Sequence, residues 1–231
     1  MVVSRLWRYP VKSMLGEQCP HLDLDRRGVI GDRLYAVRDS GGRLGSGKTT
    51  LRFRQVDGLF TFRAEHKGEV PEIIFPDGRR MQCDDARVHE ALSAVLGMPL
   101  TLAREDSVSH LDAGPLHLIT TASLAWLKAA LPDASVDERR FRPNLVVDAP
   151  GEAQVERGWL GKTLCVGPAV RLRVIRTTGR CRMVTLAQGD VPADPRILAR
   201  INRDADLQFG VYAEVIAPGR IACDDRITPT T

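Results

Sequence analysis

An α+β fold, mostly antiparallel β and barrel-like in both of its parts, is what the sequence predicts, on three observations. Short apolar runs bounded by Gly, Pro, Asn and Asp recur along the chain, few segments carry a helical apolar period, and strands and helices do not alternate as they must to build a parallel sheet. The N-terminal half reads as short strands at Val2 to Trp7, Arg33 to Arg38, Leu59 to Arg63, Ile73 to Phe75 and Met81 to Cys83, with Asp77-Gly78 as a hairpin turn. A helix is predicted from Asp85 to Leu96. Val88, Ala91, Leu92 and Val95 recur at helical spacing, Asp84 or Asp85 caps the start and Gly97 ends it. Met98-Pro99 opens a new element, and the rhythm changes between Ala103 and Ser109, which places two domains at 1–105 and 106–231.

In the second part Thr120 or Thr121 caps a helix that runs to Leu131, with Leu124, Leu127 and Leu131 on one face and Pro132 as the stop. Ser135 to Glu138 has the capping-box spacing and predicts a short turn. Strands come next at Asn144 to Asp148 and at Val170 to Arg176, where Val170, Leu172 and Val174 alternate with Arg171 and Arg173. Asp194-Pro195 opens a last helix through Ile201, and Val211 to Ala217 is the final long strand. There is no internal repeat.

Composition narrows the function. With 43% hydrophobic and 27% charged residues over 231 positions, the chain can bury a core of ordinary size. A net charge of +4 with basic residues spread along the chain argues against nucleic acid as a partner. No apolar run reaches the roughly 18 residues of a membrane span, and Met1 to Lys12 lack a signal-type core, so a cytoplasmic location without membrane contact is expected. Five scattered cysteines without a Cys-x-x-Cys pair indicate neither a disulfide framework nor a zinc site. Five of the 33 basic residues are Lys and the rest Arg, which suits planar anion recognition but is explained as readily by genome composition.

Gly42 to Thr49 fits the phosphate-loop pattern Gly-x-x-x-x-Gly-Lys-Thr letter for letter. Its context is wrong for an NTPase, since Asp39 to Gly42 reads as a hairpin turn and Asp57-Gly58 interrupts the segment after Thr49 before a long helix can form. Three other segments are candidates for chemistry. Lys12 and Ser13, after the turn set by Pro10, offer a cation and a hydroxyl to one anionic group, or else a solvated loop lysine. Arg142 and Asn144, braced by Pro143 at the start of a strand, offer a fork and an amide, or else satisfy backbone groups of a turn. Cys181 lies in or beside a loop between Arg180 and Arg182. Such cations favour the thiolate that ligates metals or attacks electrophiles, whereas the commoner fate of a cysteine is a small buried hydrophobe.

In order along the chain, the sequence resembles the MOSC proteins, named for the C-terminal domain of molybdenum cofactor sulfurase. The likeness is to those with an additional N-terminal β-barrel domain, as in the mitochondrial amidoxime-reducing component. The matching pieces are Tyr9 to Ser13, Gly31 to Leu34, Ala122 to Ala125, Phe141 to Val147, Trp159 before Gly161, Arg180-Cys181 and Phe209 to Tyr212. The resemblance implies a molybdenum-molybdopterin cofactor with Cys181 as the metal ligand and catalytic residue. Lys12, Ser13, Arg33, Arg142, Asn144 and Arg180 match cofactor-contacting positions, as do Thr120 and Ser123. The implied activity is reduction of N-hydroxylated or N-oxide small molecules with electrons from a separate reductase. The alternative is a non-catalytic carrier of the cofactor or of sulfur. Two departures bear on substrate and electron donor: Met183 to Gln188 stands where the amidoxime reducers carry a Thr-Thr-Val-Asp-Pro type run, and Cys223-Asp224 stands for a Gly-Asp.

Overall fold

The computed structural model describes residues 1–230. Ten short strands open the chain: β1 (Val2–Arg8), β2 (Glu17–Cys19), β3 (His21–Asp25), β4 (Gly28–Val29), β5 (Tyr35–Arg38), β6 (Leu44–Ser46), β7 (Phe53–Gln55), β8 (Arg63–Glu65), β9 (Glu72–Ile74) and β10 (Arg80–Gln82). Then come α1 (Val88–Leu96), β11 (Thr101–Arg104), β12 (Leu116–Thr120), α2 (Thr121–Ala130) and β13 (Leu145–Asp148). The chain finishes with β14 (Thr163–Val166), β15 (Val170–Gly179), α3 (Arg196–Ala205), β16 (Gln208–Ala217), β17 (Gly219–Ala222) and β18 (Ile227–Thr230). The fold is α+β and mostly antiparallel. Its parallel pairings are β6 with β7, β12 with β13, and two isolated bridges.

An eight-stranded sheet in the order β18-β14-β15-β16-β12-β13-β1-β2 dominates. Its long pair β15 and β16 alternates Val170, Leu172, Val174 and Val211, Ala213, Val215 into one apolar core, because a strand points every second side chain to the same face. A second core lies under α1 in the smaller half, and a third packs α2 and α3 over the other side of the large sheet. Hydrogen bonding crosses the division read from the sequence at 105/106. β1 pairs with β13, and β3 pairs with β17 far down the chain. The opening residues are thus built into the sheet of the second half.

Several local expectations are corrected. Leu59–Thr61 is a 3₁₀ turn rather than the start of a strand, held by Thr61 N–H and Oγ1 on the Gly58 carbonyl; a short apolar run does not by itself distinguish the two. Helix α1 starts at Val88, since Asp85 turns back on Arg87 instead of capping. Asp137, not Ser135, caps the turn Glu138–Phe141 by accepting from Arg139 N–H at 2.8 Å. The last helix begins at Arg196 and runs on to Ala205. Thr120 does cap α2, accepting from Ser123 N–H, and Gly97 ends α1 in the left-handed conformation. Gly42 to Thr49 supplies β6 of the β5–β6 hairpin and the start of the loop that leads to β7, with no helix, as its context in the sequence indicates.

Glu105 fastens the junction of the two halves. It accepts from Arg27 Nε at 2.7 Å and Nη2 at 2.8 Å, and from His110 N–H at 2.6 Å. Burial acts to raise its pKa, but these donors prevail and hold the carboxyl down at about 2. A depressed folded-state pKa gives stability that is present above the unfolded value and lost as pH falls through the folded one. Glu105→Gln should therefore lower unfolding free energy at neutral pH by about 2–3 kcal/mol, and its deficit should close between roughly pH 4.5 and pH 2. Urea unfolding of both proteins across that range checks this; a deficit independent of pH would mean that the charge is not what matters.

Candidate functional site

A cleft of about 370 Å³ opens between the two halves, within the range of about 300–1,000 Å³ usual for ligand sites. The turn after β1 brings Lys12 and Ser13 to it, the turn before β5 brings Arg33, the turn before β13 brings Arg142, and the end of β15 brings Arg180 and Cys181. These six sequence candidates are assembled in one place from segments far apart in the chain. Among the described residues eight cationic side chains and a single carboxylate, that of Asp112, line the cleft.

The inner cations are fixed by the backbone. Lys12 Nζ donates to the His110 carbonyl at 2.8 Å and to Asp112 Oδ1 at 2.6 Å. Arg33, with a left-handed backbone, is ion-paired to Asp32 and donates to the Arg142 carbonyl at 3.1 Å. Arg142, also left-handed, lies 4.2 Å from the Tyr9 ring centre and donates through Nη1 to the Met14 carbonyl at 2.6 Å. Its Nη2 is buried and has no hydrogen-bond partner among the described residues. Arg180 donates through Nε to the Phe209 carbonyl at 2.8 Å and through Nη1 to the Phe141 carbonyl at 3.1 Å, and Nη2 reaches His117 Nε2. Cys181 comes directly after it, partly exposed, at the start of the 3₁₀ turn Arg182–Thr185.

Desolvation sets the electrostatics. Burial, helped by the neighbouring charge of Arg33, pushes Arg142 down to about 10, and burial pushes Arg180 down to about 10. Burial also lowers Lys12, against the pull of Asp112. Burial opposes the charge of Arg33 as well, but Asp32 and Asp112 hold it above the usual guanidinium range. Asp112 answers in kind: its side chain is 47% exposed, so the desolvation that would raise it is partial, and Lys12 and Arg33 keep it below the usual carboxylate range. His117 is held well below its ordinary value by burial and then by Arg180, so it is neutral and accepts at Nε2. The site is thus rich in desolvated positive charge with too few anions to match, and an anionic ligand would supply the deficit.

Three sequence candidates lie elsewhere. Thr120 Oγ1 and Ser123 Oγ both donate to the carboxylate of Glu156, at 2.7 Å each, in a buried cluster beside α2. Their hydroxyls are committed to that carboxylate and do not reach the cleft. Asn144 is wholly buried behind Arg33; its Oδ1 accepts from His117 N–H at 3.2 Å and its Nδ2 donates to the Trp7 carbonyl at 3.3 Å. It braces the cleft wall instead of lining it. Asp112, His117, Arg52 and Phe53 line the cleft without any signal in the sequence having singled them out. The pairing of Lys12 with Asp112 spans a hundred residues, and no local pattern announces it. The phosphate-loop lookalike closes one side: Gly47 N–H donates to Met183 Sδ at 3.0 Å, and a Cβ at Gly47 would stand 2.5 Å from that sulfur.

Among the described residues no three of His, Cys, Asp and Glu gather as a metal-holding group. A metal beside Cys181 would have to bring its other ligands with it. No helix among these residues is long and apolar enough to cross a membrane.

Two family models match the chain, the MOSC domain over residues 105–228 and the MOSC N-terminal beta barrel domain over residues 1–99. A curated relative, the molybdenum cofactor sulfurase of Oryza sativa subsp. japonica, is 26% identical; the match covers 78% of this chain but only 28% of that protein's length. Among solved structures, the YUAD protein of Bacillus subtilis superposes with a TM-score of 0.54 at 14% identity, over 98% of this chain and 93% of that one, which speaks to fold alone.

Proposed function

The chain belongs to the MOSC domain family, and on that premise we propose that it binds a molybdenum-molybdopterin cofactor in the interdomain cleft and reduces N-hydroxylated or N-oxide small molecules. The observation that carries this reading is a partly exposed Cys181 at the edge of a desolvated cationic cleft that contains an unpartnered donor, Arg142 Nη2. A soft thiolate suits a sulfur-rich metal centre that arrives with its own dithiolene ligands, and such a centre needs no further protein ligands. The orphan Arg142 nitrogen and the surplus positive charge fit a phosphate-bearing cofactor.

When bound, the cofactor supplies the two-electron oxygen-removing chemistry. The chain's own residues bind and position. Arg33, Arg142 and Lys12 offer charge-assisted hydrogen bonds to the anionic end, each held by backbone contacts so that little reorganisation is needed. Arg180 joins β15, β16 and the Phe141 turn, which fixes the peptide that presents Cys181. Electrons come from a separate reductase in the cytoplasm. A carrier of the cofactor or of sulfur is the second reading, favoured by the name of the rice relative.

Protein purified from a host that makes the cofactor should contain close to one molybdenum per chain. It should also reduce benzamidoxime with an artificial low-potential donor. Metal-free wild-type protein would overturn the reading, and metal-replete protein without turnover would favour the carrier.

A further inference from the structure

Lys48 is the lysine of the phosphate-loop lookalike, and the function proposed above gives it no task. It lines the cleft on a loop of the smaller half, its Nζ 5.1 Å from the Phe53 ring centre. Arg176 lines the same cleft from the larger half, on β15 where a bulge between Val174 and Arg176 shifts the register against β16. Among the described residues neither side chain has a carboxylate or carbonyl partner, unlike the inner cations. Arg52 is not available in the same way, since its Nη2 donates to the Ser109 and Leu111 carbonyls at 2.6 and 2.8 Å. Asp112, the cleft's one carboxylate, is taken by Lys12.

The cleft therefore has two tiers of charge. Lys12, Arg33, Arg142 and Arg180 are fixed by hydrogen bonds, whereas Lys48 is half-buried, Arg176 is exposed, and neither is held by a hydrogen bond among the described residues. From this geometry we propose that Lys48 and Arg176 select substrates that carry a negative charge, a carboxylate or comparable anion, away from the reacting nitrogen. This rests on the reductase reading and names its substrate class. Lys48 faces Phe53, which also lies 5.2 Å from Arg52, and with Arg176 across the cleft this suits an anionic group on an aromatic or other flat body. Partly solvated cations act weakly one by one, so the two together should favour the anionic substrate by about tenfold.

Benzamidoxime and its para-carboxy derivative differ only in that remote charge. On molybdenum-loaded wild-type protein, KM for the carboxylated compound should be about tenfold the lower, with the advantage eroding as salt is raised. In Lys48→Ala/Arg176→Ala the advantage should vanish while KM for benzamidoxime and molybdenum per chain stay unchanged. Calorimetric Kd values for the same two compounds give a readout that needs no turnover. Discrimination in binding without activity keeps this inference and overturns the reductase reading; activity without discrimination does the reverse. Loss of molybdenum in the double variant would assign the two cations to the cofactor and overturn the proposal.

Discussion

Cys181→Ser protein from a cofactor-making host is expected to keep its fold and to lose molybdenum by at least about tenfold, since removing a metal ligand outright should exceed the roughly 10–100-fold effect of removing a neighbour of one. Serine is nearly isosteric, but its oxygen is a harder donor and stays protonated at neutral pH, so it is a poor substitute toward a sulfur-rich metal. The fold should hardly register the change. Cys181 is partly exposed and packs in none of the apolar cores, so stability should move by no more than about 0.5 kcal/mol. Metal analysis and thermal unfolding on the same preparation separate the two effects. Full molybdenum content in Cys181→Ser would remove this residue from the metal's coordination, whatever else the cleft binds.

Arg140→Met should be the most damaging single change to stability. Only 1% of Arg140 is exposed, and among the described residues no carboxylate is paired to it. Its guanidinium instead donates to the carbonyls of Ser135 at 2.8 Å, Val184 and Leu186 at 3.4 Å each, and Pro192. Gln188 Nε2 closes the arrangement on the Arg140 carbonyl at 3.5 Å. One planar, five-donor group thus ties the turn before β13 to the whole loop beyond Cys181, a task for which a point-charge lysine lacks the reach. Methionine fills the space of the stem and leaves the carbonyls without donors, a loss of about 3–5 kcal/mol by the usual penalty for unpaired buried polar groups. In a chain of this length that is a fall in Tm of roughly 10 °C. Arg140→Lys should restore only part of it. A loss under about 1 kcal/mol would show that the loop holds itself without Arg140.

Local sequence carries a good deal of this fold. The Asp77-Gly78 hairpin, the Thr120 cap and the stop at Gly97 are decided by residues within a few positions of each other, and all three stand. That Gly42 to Thr49 is no phosphate loop is legible for the same reason, because such a loop needs a helix directly after it and the chain offers none there. Where the local signal is double-edged, sequence and structure part. The apolar run at Leu59 suits strand and 3₁₀ turn alike, and Ser135 and Asp137 are both side chains able to cap the same turn.

The candidate site divides along the same line. Cys181 between two arginines, and Lys12 and Arg142 beside prolines, are visible because their neighbours in sequence are also their setting. Thr120 and Ser123 fall outside the cleft because Glu156, which claims both hydroxyls, lies more than thirty residues away. Asn144 likewise faces inward because Trp7 and His117 hold its amide.

By itself the sequence determined an α+β chain of mostly antiparallel strands, of MOSC type, with one cysteine in a cationic setting. Only the tertiary structure decided that β1 joins the second half's sheet, that Asp112 meets Lys12, and which of the many arginines share a cleft. The physical reason is range. Turn chemistry and side-chain periodicity act over a few residues, whereas burial and charge pairing depend on which distant segments the fold brings into contact.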